Sequence, residues 1–246
     1  MVESLDISKI TIDDLDITYD DIEVITVAKV GTTIFSSSLL KYHTYAMNIL
    51  EHILEQNKKK LIISGIRNPI TRNISYFFET YGMENSEPIL KNSNNTYEKI
   101  NTFICNNDEI NNIDTNDLIE MFKNKDYIYH NHFTLWFEQF MEMTKINHIP
   151  FDKEKGLQLY KLNDDTYILF YVLEKYNDNK DILEKFFKLP LSNERNATSN
   201  KCIANKYKDF KEKIKFDNNY KDSLLNTSVM KYFYSDEFIK NFDSLY

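Results

Sequence analysis

The chain has 246 residues, is 42% hydrophobic and carries 17 Phe and 17 Tyr, enough apolar material for a sizeable core and too much for a disordered polymer. Its formal net charge of -8 argues against a general nucleic-acid surface, which would show a basic excess. Cys105 and Cys202 are far apart and have no partner at metal-ligand spacing, so they read as free thiols and no metal site is expected.

The N-terminal stretch MVESLDISKITIDDLD is acidic and lacks an apolar centre, which does not suit a signal peptide. No apolar run approaches the roughly 20 residues that span a membrane, so a cytoplasmic location is expected. Residues 1–20 read as an arm or short edge element. IEVITVAK (22–29) is a β-branched run suited to a buried parallel strand. Gly31 breaks it, and Thr32 and Thr33 can cap a helix running to about Tyr42. HTYAM (43–47) is either a second short strand or the start of the next helix. NILEHILEQNKKK (48–60) has a helical apolar stripe ending in cations, as the helix dipole favours.

KLIISGIRNP (60–69) is the second buried strand, stopped by Pro69, and ITRNISYFFETYG (70–82) is a helix ending at Gly82. The alternation of strands and helices predicts a parallel α/β sheet with right-handed crossovers. Residues 83–117 are polar and Asn-rich, and 83–125 is the segment best suited to an insertion or lid. DYIYHNHF (126–133) reads as a strand end, and TLWFEQFMEMTKI (134–146) as an amphipathic helix. Two β runs flank Asn163-Asp164-Asp165, a hairpin signal. KDILEKFFKL (180–189) is a helix stopped by Pro190, and residues 191–246 are mostly helical. With no repeat and no linker, 1–246 reads as one domain.

Two motifs carry chemistry. In Lys29-Val30-Gly31-Thr32-Thr33 a strand delivers a lysine and a glycine to a helix N-terminus, where unpaired N–H groups can hold an anion. A capped helix with a surface lysine fits the same residues. The order Gly-x-x-x-x-Gly-Lys-Ser/Thr is absent, because Lys29 precedes the glycine, so a standard ATP- or GTP-hydrolysing loop is not expected. In Arg67-Asn68-Pro69-Ile70-Thr71-Arg72-Asn73-Ile74-Ser75, an arginine at a strand end precedes a serine on the next helix, a pair able to clamp a second phosphate.

Together these two stretches resemble the cofactor signature of sulfotransferases that use 3′-phosphoadenosine 5′-phosphosulfate. More narrowly, the chain resembles the bacterial capsular-polysaccharide-synthesis family, a sulfotransferase-like group. LWFEQFMEMTKINHIPFDKEKGLQLY (135–160), ILFYVLEKY (168–176) and VMKYFYSDEFIKNF (229–242) are similar to that family's middle, late strand and C-terminal segment. Asn68 stands where the family more often has Asp. The resemblance implies a P-loop-like, three-layer α/β fold with a mainly parallel sheet flanked by helices. It implies that Lys29, Gly31, Thr32 and Thr33 hold the 5′-phosphosulfate and that Arg67 and Ser75 hold the 3′-phosphate. The implied reaction is sulfuryl transfer to an acceptor hydroxyl, on a carbohydrate or similar molecule, with Lys29 neutralising charge on the leaving phosphate and no metal required.

Such a transfer needs a base. His43 is the first candidate, and His130 and His132, which would share a strand face at i, i+2, are the second. Glu51 and Glu55 read as solvated. Glu174, at the end of a buried strand, reads as a structural anchor or a partner for a cation. Trp136, Phe137, Phe140 and Met141 read as a core stripe rather than a stacking platform. The lysines of 206–215 read as a solvated face from which Lys206 or Lys208 could reach the 3′-phosphate. Two other functions fit the same residues: a nucleotide-dependent kinase on a related P-loop fold, and a catalytically silent nucleotide-binding or capsule-assembly protein.

Overall fold

The computed structural model describes residues 2–41, 43–56, 58–84, 109–124, 127–192 and 203–241. Cys105, Cys202, Tyr42 and residues 85–108 of the expected insertion lie outside the described residues.

Six strands form one sheet: β1 (Glu3–Leu5), β2 (Ile22–Ile25), β3 (His43–Thr44), β4 (Lys60–Ile66), β5 (Leu157–Lys161) and β6 (Thr166–Val172), in the order β1-β5-β6-β4-β2-β3. The β6, β4, β2 and β3 pairings are parallel, with Ile66 opposite Val172 and Val24 opposite His43. β5 and β6 form the expected antiparallel hairpin, in which the Asn163 side chain accepts from the N–H groups of Asp165 and Thr166.

β4 and β6 are apolar on both faces, and the two-residue period of a strand sorts them. Leu61, Ile63, Leu169 and Tyr171 enter one core; Ile62, Ile66, Ile168 and Phe170 enter the other. The first core is closed by α1 (Thr32–Leu39), α7 (Tyr176–Phe187) and short turns between residues 7 and 21. The second is closed by α2 (Met47–Glu55), α3 (Pro69–Glu84), α5 (Thr115–Lys123), α6 (Tyr127–Thr144), α8 (Ala204–Lys213), α9 (Asn218–Leu225) and α10 (Ser228–Phe233). The short α4 (Glu109–Asn112) and α11 (Asp236–Lys240) lie beside these. The protein is therefore a three-layer α/β fold with a mainly parallel sheet.

The crossovers explain the layers. β2 reaches β3 through α1 on one face. The chain then returns past β2 to β4 through α2 on the other face and continues through α3 in that same direction. Right-handed connections running in opposite directions must use opposite faces. The reversal lies between β2 and β4, the topological switch where ligands bind in open α/β sheets.

Several local expectations change. β2 ends at Ile25 and α1 at Leu39, where Leu40 takes a left-handed backbone (φ 54°). Residues 43–47 divide, with a strand at His43–Thr44 and a helix from Met47. Pro69 does not only stop β4: it opens α3, and the Asn68 side chain caps that helix by accepting from Ile70 and Thr71 N–H. α3 continues past Gly82 to Glu84.

The larger correction is 126–133, expected as a strand end. Tyr127–Phe133 belong to α6, so His130 and His132 share no strand face, and the His130 side chain lies outside the described residues. The β preference of Tyr, Ile and Phe yields to a helix whose buried stripe (Phe133, Trp136, Phe137, Phe140, Met141) spreads one turn N-terminally.

Gly65 is needed for a close approach. Tyr171 on β6 reaches over it to donate to the Val30 carbonyl at 3.0 Å. A Cβ at Gly65 would stand 2.5 Å from the Tyr171 hydroxyl and 2.9 Å from that carbonyl. Gly65→Ala is expected to cost about 2 kcal/mol, as overpacking of a full core does. Urea unfolding would show this as a lower midpoint at unchanged slope.

Candidate functional site

The site begins where β2 ends. Thr26 N–H bonds the Thr44 carbonyl at 2.9 Å, and its hydroxyl donates to the Gly65 carbonyl at 3.0 Å. This ties the chain to β3 and β4 just before it turns. The next carbonyls are then captured in succession. Arg72 Nε donates to Ala28 O at 3.2 Å, Arg67 Nη1 to Lys29 O at 3.0 Å, and the Tyr171 hydroxyl to Val30 O.

Lys29 (φ 72°) and Gly31 (φ 84°) both adopt left-handed backbone. For a lysine that conformation costs about 1 kcal/mol, offset here by the captured carbonyls. Among the described residues, the N–H groups of Val30, Gly31, Thr32 and Thr33 have no protein acceptor. They are the entry of α1, where unpaired N–H groups and the helix dipole favour an anion. Such a run of N–H groups beside left-handed residues has the form of the backbone concavities that suit anions.

Charged groups surround this turn. Lys29 Nζ pairs with Glu79 of α3 at 3.0 Å, with side chains only 10% and 22% exposed. Arg72, Ser75 and Glu79 follow at i, i+3 and i+7, one face of α3. Since Arg72 and Glu79 both touch the turn, that face looks at the site, and Ser75 lies on it, 4% exposed. Arg72 is wholly buried and also covers the Tyr76 ring at 4.4 Å.

His43 stands on β3 beside Val24 and is half-buried. Burial pushes its pKa below the ordinary value, Glu79 raises it and Lys29 lowers it further. The imidazole is therefore neutral at neutral pH and able to accept a proton. Trp136 Nε1 donates to the Tyr45 carbonyl at 2.9 Å, holding the chain just after His43.

On the other side of Arg67, α8 brings up Tyr207 and Lys211. Burial raises the Tyr207 phenol while Arg67 pulls it down; burial and Arg67 together lower Lys211. Glu174, just beyond β6, accepts from Asn68 N–H at 2.9 Å and from the Tyr234 hydroxyl at 3.1 Å. Its surface is solvent-exposed, yet it is ringed densely enough that burial raises its carboxyl pKa. Arg67 lies close enough to lower that pKa in part.

The structure thus gathers Lys29, Gly31, Thr32, Thr33, His43 and Arg67 at one sheet edge, with Ser75 on the helix face behind. The other candidates are not on the turn itself, although His132 comes close enough to Arg72 to feel its charge. His132 is on exposed α6 surface, and partial burial and Arg72 push its pKa down. Glu51 and Glu55 are exposed, and Trp136, Phe137, Phe140 and Met141 are core. Lys206 donates to the Ile113 carbonyl and Lys208 is an exposed partner of Glu212, while Lys211 lies close enough to Arg67 for that cation to lower its pKa. The sequence reading missed Arg72, Glu79, Tyr171 and Lys211. For the first two, a polar i, i+3, i+7 stripe interrupts the apolar pattern of α3 and was a usable signal.

No family model matches the chain, and neither a curated protein nor a solved structure matches it. Among the described residues there is no cluster of three side chains that could hold a metal ion, and no helix long and apolar enough to cross a membrane.

Because the folded state lowers the His43 pKa, the unfolded chain binds more protons, and this group's stabilising contribution falls as pH drops below about 6.5. An NMR titration of His43 should give a midpoint below that value. In Lys29→Met the midpoint should move up, since a nearby cation is removed while Glu79 stays; a downward move would separate Lys29 from His43.

Proposed function

We propose that the protein is a sulfotransferase-like enzyme that moves a sulfuryl group from 3′-phosphoadenosine 5′-phosphosulfate to a carbohydrate hydroxyl, in modification of a capsular or other surface polysaccharide. The observation that carries this reading is the turn after β2. Its carbonyls are held back by Arg72, Arg67 and Tyr171, and its N–H groups are left together beside Lys29 at the β2–β4 switch.

In this reading the N–H groups of Gly31, Thr32 and Thr33, with Lys29, hold the phosphosulfate. Arg67 and Ser75 hold the 3′-phosphate. The acceptor oxygen attacks sulfur as the bond from sulfur to the bridging phosphate oxygen breaks. Lys29 stabilises the charge that develops on that oxygen, and fixed N–H donors do so without reorganising. Neutral His43, on the strand beside the turn, takes the proton of the acceptor hydroxyl. The carbohydrate acceptor and the place in polysaccharide modification come from the sequence resemblance.

Calorimetric titration tests the reading. Adenosine 3′,5′-bisphosphate should bind saturably and more tightly than ATP with magnesium. Arg67→Ala should weaken it by about 2–3 kcal/mol, the loss of charged hydrogen bonds. Lys29→Ala should lower transfer of labelled sulfate about 100-fold, because its charge acts mainly in the transition state. Absence of saturable bisphosphate binding would sink the proposal. Binding with no transfer to any glycan would leave a silent nucleotide binder, and tighter ATP–magnesium binding would favour the kinase.

A further inference from the structure

The ion pair between Lys29 and Glu79 joins the two charged groups that act on His43, which stands on β3 beside the strand leading into the turn. Lys29 comes from the turn and Glu79 from the third turn of α3, and the pair is largely withdrawn from water. Buried charges are costly unless paired, so a lysine positioned for an anion needs a counter-charge when no anion is there. The carbonyls of Ala28, Lys29 and Val30 are themselves engaged by Arg72, Arg67 and Tyr171. Glu79 fills that need from the same helix face as Arg72.

We propose that Glu79 is the resident counter-ion of the anion site: it holds Lys29 when the turn is empty, competes with an incoming phosphate or sulfate group, and on release leaves its charge facing His43. This rests on the turn being an anion cradle. Once the anion takes over Lys29, Glu79 no longer shares its charge with the lysine. Among the described residues, the charged groups that act on His43 are Glu79 from α3 and Lys29 from the turn, and they act in opposite directions. Shifting Lys29 toward the ligand weakens the influence that makes the imidazole less basic and leaves the one that makes it more basic. Filling the cradle therefore makes His43 a stronger proton acceptor, so that the base is prepared only when the group to be transferred is in place. Glu79 is a positioning residue in this scheme: it acts through Lys29 and His43 and need not touch the transferred group.

Inorganic pyrophosphate is the probe, titrated calorimetrically into the full chain. Glu79→Gln should bind it about tenfold more tightly than the wild type, the size of an ordinary coupling between two sites. Glu79→Asp, one methylene shorter, should show a smaller gain of the same sign, and Lys29→Ala in the Glu79→Gln background should abolish the gain. His43 followed by NMR should rise in pKa on saturation more in the wild type than in Glu79→Gln. Unchanged or weaker pyrophosphate binding in both Glu79 variants would overturn the competition, and equal His43 shifts would overturn its link to the base. If no form binds pyrophosphate, the cradle itself fails. If the Glu79 effects hold but adenosine 3′,5′-bisphosphate binds no better than pyrophosphate, the sulfotransferase reading falls and the role of Glu79 stands.

Discussion

Three hydrogen bonds to consecutive carbonyls organise this molecule's site. Arg72, Arg67 and Tyr171 capture Ala28, Lys29 and Val30, and each donor comes from a different element: α3, the exit of β4, and β6. Backbone groups must be paired when buried, and a turn whose carbonyls are all taken on one side presents its N–H groups on the other. The left-handed conformations of Lys29 and Gly31 follow from the same arrangement. Remove the donors, and the turn could relax into an ordinary strand-to-helix corner.

The sheet makes these captures reachable. Parallel β4 and β6 end together, with β2 ending two residues short of them, and Gly65 leaves the gap through which Tyr171 crosses β4. The switch between β2 and β4 sends α1 and α3 to opposite faces and opens the crevice between them. Asn68 extends the arrangement: its side chain caps α3 while its own N–H bonds Glu174 beyond β6. The start of α3, the helix that carries Arg72, Ser75 and Glu79, is thus tied to the neighbouring strand end.

Electrostatics at the site run against the overall charge. The chain carries -8, yet Lys29, Arg67, Arg72 and Lys211 converge around the turn and the exit of β4. Partial burial strengthens their field because water screens it less. Glu79 and Glu174 temper it, one at Lys29 and the other near Arg67. The site is therefore a cluster of opposite charges already paired with one another in the fold.

The residues alone determined much of this. Runs rich in β-branched and other apolar residues suit strands covered on both faces, so 22–29 and 60–69 read as buried strands and the two runs about Asn163 as a hairpin; the strands observed are Ile22–Ile25, Lys60–Ile66, Leu157–Lys161 and Thr166–Val172. Lys29 and Arg67, each just beyond such a strand, were legible as a pair of strand-end cations. Local pattern failed at 127–133, where β preference was overridden by the packing of a long helix against the core. It also could not assign Arg72, Glu79 or Tyr171, because their partners lie 44, 50 and 141 residues away along the chain. Local sequence sets which backbone conformations are available; which carbonyl an arginine captures and which carboxylate a lysine meets depend on contacts that exist only once the sheet has closed.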